Sequence, residues 1–534
     1  MLKLHFNNQY DFRRDASYAA VLGNDCLIRR LALEKRLKVH KGCVNTIAWN
    51  SSGEYILSGS DDLKLVVTNP FNGKVAARLP SGHKRNILQA KFLPVSGNRR
   101  LISSDMAGTV SYTQLERPQL YGKSLFNCHS RTVYQLQTIF GEPNLFFSSS
   151  EDGTVRWYDT RIKESCVEED CSENVLLDLQ FGVNSIDIDP IRSHYLATGT
   201  NDSTIRIFDR RMLSECYMRN VSVREYHVPR PANSTGLGLT SHITCLKYDS
   251  TGSKLLANVT TSQLIELDCW TDEVECFEEP PIVTAEEPRA PPDSRNMRVR
   301  MRGDWSDTGP SAVLDHEATD GRELSRSEQI FREMSTALTN LLRARAEAVY
   351  HADEEESSDS RNPDEQPAAS GPVEPSSENA AGIQGGPTPS QQMSKCHGYA
   401  GHRNQRTAIK QCAYWGDELV VSGSDCGHIF LWRRDSGKLI NIVEADRRVV
   451  NCVQPHPYHP LLASSGIDYD VKLWAPSLPE DDTEGKDALI AKVTERNKDI
   501  LEGAGEVITL PPRFILPMIA AFARRRLTDP TEDG

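Results

Sequence analysis

Short stretches in which apolar and polar residues alternate recur along the chain at a nearly constant spacing. Each stretch is followed by small residues with an acidic turn, and then by a second β-rich stretch that often ends in an aromatic residue. Alternation with a period of two predicts strands. Seven such units are present, and they begin near His40, His83, His129, Val183, His242, His402 and Val450.

The spacing of the units predicts a seven-bladed β-propeller, an all-β fold. The acidic turns fall at residues 61, 105, 152, 202, 425 and 468, so that uninterrupted neighbours are 44, 47, 50 and 43 residues apart. Blades of four strands repeat at about 40–45 residues. Blades one to five are therefore assigned to residues 39–268, and blades six and seven to residues 399–476.

Two features of this ring depend on which distant segments of the chain pair with each other. The fifth unit, 242–268, lacks an acidic turn and an aromatic-Asp ending, so a six-bladed ring with an added hairpin stays open as an alternative. A propeller must also close to remove its sheet edges. We expect residues 36–40, which precede the first unit, to supply the outer strand of the last blade.

The series of His, Ser-x-Asp and Trp-Asp-like positions resembles that of WD-repeat (WD40) proteins. In that family the His and the turn Asp commonly share a hydrogen-bond network with Ser and Trp. The resemblance therefore implies that these residues are structural.

The segments outside the ring differ in composition. Residues 1–38 contain a stretch of helical character at 26–37 in addition to the closing strand, and residues 477–534 form a predicted helical tail with a helix at 488–501. Residues 269–398 are rich in Pro, Glu, Ser and Gly and predict a largely disordered insertion.

One amphipathic helix is predicted inside the insertion, at residues 325–350. It carries Leu338, Leu341 and Leu342 in the LxxLL form with which short helices dock into the apolar groove of nuclear hormone receptors. Packing of these leucines against the propeller is the alternative.

The amino-acid composition limits which cellular compartments and which classes of ligand suit the protein. The 534 residues carry a net charge of −13, which argues against direct nucleic-acid binding, and the longest apolar run has only ten residues, which argues against a membrane span. The 13 cysteines occur without CxxC pairs and indicate a reducing compartment. Cys166 and Cys171 are interpreted as loop thiols, and no metal or other cofactor is predicted.

Motifs of nucleophilic hydrolases, P-loop nucleotide-binding proteins, zinc proteases and dinucleotide-binding folds are absent from the sequence. The chain is therefore predicted not to be an enzyme.

Two blade ends carry a shared motif, Asp159-Thr-Arg161 and Asp209-Arg-Arg211, each after an aromatic residue. This ending resembles the box of WD-repeat cullin-4-associated factors, the substrate receptors of cullin-4 RING ubiquitin ligases. Segments 40–62, 81–94, 151–161 and 298–310 resemble the same family. The resemblance implies that Asp159, Arg161, Asp209 and Arg211 bind the damaged-DNA-binding-protein adaptor through the narrow face of the propeller.

Two functions are consistent with these features. The first is a substrate receptor that recruits client proteins for ubiquitination, and the second is a scaffold or nuclear receptor coactivator without a ligase role. The predicted partners are the adaptor, protein substrates and nuclear hormone receptors, with no membrane. The expected location is the nucleus and the cytoplasm.

Overall fold

The alternating stretches pair in antiparallel order in a computed structural model. The structure describes residues 20–168, 171–213, 221–228, 242–260, 264–270, 298–301, 308–310, 391–392, 397–477, 479, 485–503 and 507–510. Within these residues, seven sheets of at least four strands follow one another as the blades of a propeller.

The first three blades are each formed by consecutive strands, ordered from the inner to the outer edge. Blade one contains β2 (Val44–Trp49), β3 (Ile56–Ser60), β4 (Lys64–Asn69) and β5 (Lys74–Pro80). Blade two contains β6 (Ile87–Phe92), β7 (Arg100–Asp105), β8 (Val110–Gln114) and β9 (Leu125–Phe126). Blade three contains β10 (Val133–Thr138), β11 (Leu145–Ser150), β12 (Thr154–Asp159) and β13 (Val175–Asp178).

Three of the remaining four blades take a strand from elsewhere in the chain. Blade four contains β14 (Val183–Ile188), β15 (Tyr195–Thr200), β16 (Thr204–Asp209), β17 (Arg224–His227) and the short parallel strand β22 (Gln391–Gln392). Blade five contains β18 (Ile243–Tyr248), β19 (Lys254–Val259), β20 (Leu264–Asp268) and β23 (His397–Tyr399). Blade six contains β24 (Cys412–Trp415), β25 (Leu419–Gly423), β26 (His428–Arg433) and β27 (Leu439–Glu444). Blade seven contains β28 (Val450–Pro455), β29 (Leu462–Gly466), β30 (Val471–Pro476) and β1 (Leu31–Leu37).

The ring closes through the N-terminal segment as expected, but the closing strand is β1 (Leu31–Leu37) and not residues 36–40, because its pairing with β30 ends at Leu37. β1 pairs antiparallel with β30, from Leu31 opposite Pro476 to Leu37 opposite Val471. The helical character expected over 26–37 is wrong beyond Arg29, because α1 (Asp25–Arg29) ends there and residues 31–37 form β1. The open edge of β30 offers backbone partners that outweigh a weak helical preference.

Blade five is a complete four-stranded blade. Its outer strand is β23, which pairs with β20 so that Leu264 lies opposite Tyr399. The chain therefore leaves blade five after its third strand, and β22 pairs with blade four before β23 completes blade five. The insertion was predicted to lie between blades five and six, whereas β23 places it before the outer strand of blade five. A strand of three residues is too short to show an alternating pattern in the sequence.

Two further elements follow or accompany the ring. α2 (Lys486–Gly503) agrees with the predicted C-terminal helix, and Asn497 in this helix donates to the carbonyl oxygen of Gly401 over 2.8 Å. Separately, β21 (Arg298–Met301) and β31 (Val507–Leu510) form a parallel pair.

No described helix is long and apolar enough to cross a lipid bilayer. The predicted helix at 325–350, with Leu338, Leu341 and Leu342, lies outside the described residues.

The His and turn Asp residues of the first three blades form the expected networks. In blade three, His129 Nδ1 lies 2.8 Å from Asp152, and its Nε2 lies 2.6 Å from Ser148 Oγ. His40 and His83 make equivalent contacts with Ser58 and Ser103. All three imidazoles are buried, so these contacts connect the segment before each inner strand to the second strand of the same blade.

Candidate interface at one end of blades three and four

The candidate site lies at one end of the ring, where the two Asp-x-Arg sequences follow β12 and β16. In an antiparallel blade, the connection between strands one and two emerges at the same end as the connection between strands three and four. Arg161 and Arg211 therefore lie at the same end of adjacent blades. The loops that carry the turn acids Asp152 and Asp202 lie at the opposite end.

Each arginine is exposed and is held by the aspartate two residues before it. Arg161 Nε donates to Asp159 Oδ1 over 3.0 Å, and Arg211 Nε donates to Asp209 Oδ1 over the same distance. The arginine side chains are 70% and 64% exposed, whereas the aspartates are almost buried. The guanidinium groups are thus fixed in orientation although they face solvent.

The aspartates also cap the turn itself. Asp159 Oδ1 accepts from the backbone N–H of Arg161 over 2.9 Å, and Asp209 Oδ1 accepts from that of Arg211 over 3.0 Å. The hydrogen bond from Arg211 lowers the pKa of Asp209 to about 2, and Arg161 lowers the pKa of Asp159 in the same way. Both carboxylates are therefore ionised at neutral pH.

One edge of each guanidinium is left for another molecule. Asp159 and Asp209 accept from the Nε and Nη2 groups. Within the described residues, the Nη1 group of Arg161 and that of Arg211 have no hydrogen-bond acceptor. An arginine that is already oriented loses less entropy when it binds a carbonyl or a carboxylate.

The residue between the two motif positions has a different role. In the second motif this residue is Arg210, which donates to the carbonyl oxygen of Ser193 over 2.6 Å and lies 5.0 Å from the ring centre of Phe147 in blade three. Burial lowers its pKa. Arg210 therefore joins blades three and four, while Arg211 remains exposed.

Exposed apolar side chains surround the arginines at this end of the ring. Phe140, in the connection before β11, is 87% exposed, and Ile162 and Met212 directly follow the two arginines and are also exposed. Val95 and Ile191 add exposed aliphatic groups in the corresponding connections of blades two and four. A surface that combines aromatic, Met and Arg side chains is typical of protein interfaces.

These apolar residues were not among those predicted from the sequence. The sequence offered one weak signal, since Ile162 and Met212 each directly follow an Asp-x-Arg turn. Phe140 had no such signal, since its exposure depends on how its loop leaves the sheet.

One group of metal-ligand side chains occurs among the described residues. Cys128, Cys166 and Cys171 bring their sulfur atoms within 4.8 Å of one another. Cys166 and Cys171, interpreted from the sequence as loop thiols, lie in the connection between β12 and β13, and the fold adds Cys128 from the end of blade two to them.

Comparison with known proteins agrees with the propeller architecture. The family model described as "WD domain, G-beta repeat" matches residues 32–68, 122–159, 178–209 and 437–475. The chain is 26% identical to the Homo sapiens protein named DDB1- and CUL4-associated factor 6, over 94% of this chain and 93% of that protein. The Mus musculus protein of the same name is 40% identical over 60% of this chain and 36% of its own length.

The chain contains WD repeats and is similar to these factors over most of its length. A more distant relative is Protein ALTERED SEED GERMINATION 2 of Arabidopsis thaliana, which is 24% identical over 84% of this chain and 87% of that protein. Two of the four matched segments, 122–159 and 178–209, lie at blades three and four. They end at Asp159 and Asp209, the first residues of the two Asp-x-Arg motifs.

Proposed function

We propose that this protein is a non-enzymatic substrate receptor of a cullin-4 RING ubiquitin ligase and that it binds the DDB1 adaptor through Arg161 and Arg211. The single observation that carries the proposal is the pair of preoriented, exposed arginines at one end of adjacent blades, each next to an exposed apolar side chain. The names of the relatives, which include DDB1 and CUL4, support this choice of partner.

The chemistry of the surface suits an adaptor that offers backbone carbonyls or carboxylates beside an apolar groove. Arg161 and Arg211 would supply charge-assisted hydrogen bonds, and Phe140, Ile162 and Met212 would supply the buried apolar area. The opposite end of the ring would remain available for client proteins. Such a receptor positions a client for a ligase and needs no catalytic residue of its own.

The test is the affinity of the purified chain for DDB1. Arg161→Glu combined with Arg211→Glu should weaken binding more than about tenfold, since truncating a desolvated interfacial charge typically costs about 2–5 kcal/mol. The melting temperature should stay unchanged, because both side chains are exposed and lie beyond their strands. A pull-down and a melting curve measure the two effects.

A matched control applies the same change of charge at the other end of the ring. Arg85 and Arg131 are exposed and lie in the connections that precede β6 and β10. Arg85→Glu combined with Arg131→Glu should leave DDB1 binding within about twofold of the wild type, because rim or distant charges contribute little. Equal binding by the wild type and the Arg161/Arg211 variant, with equal melting curves, would refute the proposal.

Docking of nuclear hormone receptors by Leu338, Leu341 and Leu342 stays a sequence-based hypothesis, because the three leucines lie outside the described residues. Residence in both nucleus and cytoplasm is likewise proposed from the family resemblance.

A further inference from the structure

Three cysteines from two blades meet at the outer side of the ring. Cys128 follows β9, the outer strand of blade two, whereas Cys166 and Cys171 belong to the connection between β12 and β13 of blade three. Their exposed fractions are 0%, 4% and 7%. The three sulfur atoms all lie within 4.8 Å of one another.

Backbone hydrogen bonds hold this arrangement in place. Cys166 forms a parallel bridge with Phe126, in which Cys166 N donates to the carbonyl oxygen of Leu125 and Asn127 N donates to that of Cys166, both over 2.9 Å. Arg156 donates to the carbonyl oxygen of Cys171 and, over 2.8 Å, to Asn174 Oδ1. The fold itself therefore brings the connection of blade three against blade two and places the thiols together.

The distances suit coordination by three thiolates. With metal–sulfur bonds of about 2.3 Å, three thiolates around one ion lie about 4 Å apart, so small side-chain rotations would complete the site. No fourth Cys, His, Asp or Glu joins this group in the part of the chain that the structure describes. Three sulfur ligands favour thiophilic ions over Mg²⁺ and Ca²⁺.

Two cationic side chains lie beside the cysteines. The cationic groups of Lys163 and Arg156 would balance part of the negative charge of three thiolates.

We propose that Cys128, Cys166 and Cys171 bind a d¹⁰ thiophilic cation, Zn²⁺ or Cu⁺, which joins the connection of blade three to the outer strand of blade two. Each thiol that becomes a ligand releases its proton to solvent. Binding therefore weakens as the pH falls. Because the site requires the folded chain, the bound ion also stabilises this side of the ring.

The experiment uses the full chain, purified under reducing conditions and stripped of metal with a chelator. Zn²⁺ and Cu⁺ are then added in separate titrations. One of the two should bind with a stoichiometry of one, produce an ultraviolet thiolate charge-transfer band and raise the melting temperature. Competition with the chelator then gives the affinity for each ion and identifies the ion that the site prefers.

Variants test the ligands. Cys128→Ser and Cys166→Ser should each lose the charge-transfer band and at least about tenfold in affinity, as expected when one ligand of three is removed. Cys269→Ser replaces a buried cysteine of blade five, outside the cluster, and should bind as the wild type does. Equal binding by all three variants would overturn the proposal.

A measurement on the wild-type chain keeps the test independent of variant folding. The added metal should protect Cys128, Cys166 and Cys171 from alkylation in peptides mapped by mass spectrometry, while the reactivity of Cys26 stays unchanged. Failure of both ions to protect the three thiols would refute the proposal. A disulfide between two of the three in the reduced preparation would do the same.

Discussion

At the residue scale, the buried histidines fix loops between blades, but they do so in different ways. His129 pairs with the turn acid Asp152, whereas His402 of blade six lies 3.2 Å from Asn258 of blade five. The turn acid of blade six, Asp425, binds Lys410 over 2.7 Å instead. The expected pairing of His with the turn Asp is therefore correct in blades two and three, involves Asp62 and not residue 61 in blade one, and is wrong in blade six, where a lysine binds the turn Asp.

The environment of His402 predicts a loss of stability in mild acid. Burial and the neighbouring Lys410 lower the pKa of His402 to about 4, compared with about 6.5 in the unfolded chain. Below about pH 6.5 the unfolded state therefore binds more protons, and by pH 5 this group costs about 2 kcal/mol of stability. The melting temperature of the wild type should fall between pH 8 and pH 5.

The test compares the size of that fall in two proteins. His402→Gln removes the titrating group, so the variant should lose about 2 kcal/mol less than the wild type over the same pH range, whatever its stability at pH 8. Urea unfolding at both pH values measures the difference. Equal losses in the two proteins would show that His402 is not a source of the acid sensitivity.

At the element scale, a shared bulge marks the inner strands. In six of the seven blades the pairing of the first two strands shifts after its first residue pair, as between Val44 and Thr46 or between Val133 and Gln135. A bulge increases the twist of a strand, which suits strands that converge on the ring axis. The alternation of apolar and polar residues predicts the strands but not the extra residue.

The outer strand of blade five should decide which deletions of the insertion are tolerated. Removing residues 275–395 keeps β23 and should leave a protein that melts cooperatively. Removing residues 275–400 also removes β23, which exposes the edge of β20 and should lower the melting temperature markedly or cause aggregation.

A third deletion, of residues 311–390, retains a short contact with the ring. Gly309 N donates to the carbonyl oxygen of Asp425 over 3.0 Å, and the carbonyl oxygen of Pro310 accepts from Arg496 over 2.7 Å. This protein should therefore melt slightly above the 275–395 deletion. Melting curves of all three measure the order, and a normal melt after loss of residues 275–400 would contradict the assignment of β23.

At the scale of the whole molecule, the ring depends on a strand from the opposite end of the sequence. β1 completes blade seven, and its Leu31 and Leu37 are buried, whereas Glu34 and Arg36 on the same strand are exposed. The buried leucines contribute to clusters with residues of blades six, seven and one. Closure therefore joins sequence positions more than 430 residues apart.

Weakening this closing strand should destabilise the protein as a whole. Leu31→Ala and Leu37→Ala should each cost about 2–5 kcal/mol, the range for buried leucines. Glu34→Ala combined with Arg36→Ala, on the exposed positions, should change stability by less than about 0.5 kcal/mol. Urea unfolding and size-exclusion chromatography measure both effects, and equal stability of the two sets would show that the ring does not depend on β1.

The sequence by itself determined the repeat, closure of the ring by the N-terminal segment and the two Asp-x-Arg endings, because these depend on local alternation and turn chemistry. It left open whether the fifth unit is a full blade. It did not determine the outer strand of blade five, the exposure of Phe140 or the meeting of Cys128 with Cys166 and Cys171. Each of these depends on contacts between residues distant in the chain, and a short strand or an isolated cysteine has no periodic pattern of its own. The tertiary structure decided them, since an open sheet edge accepts any segment with free backbone groups that the ring brings within reach.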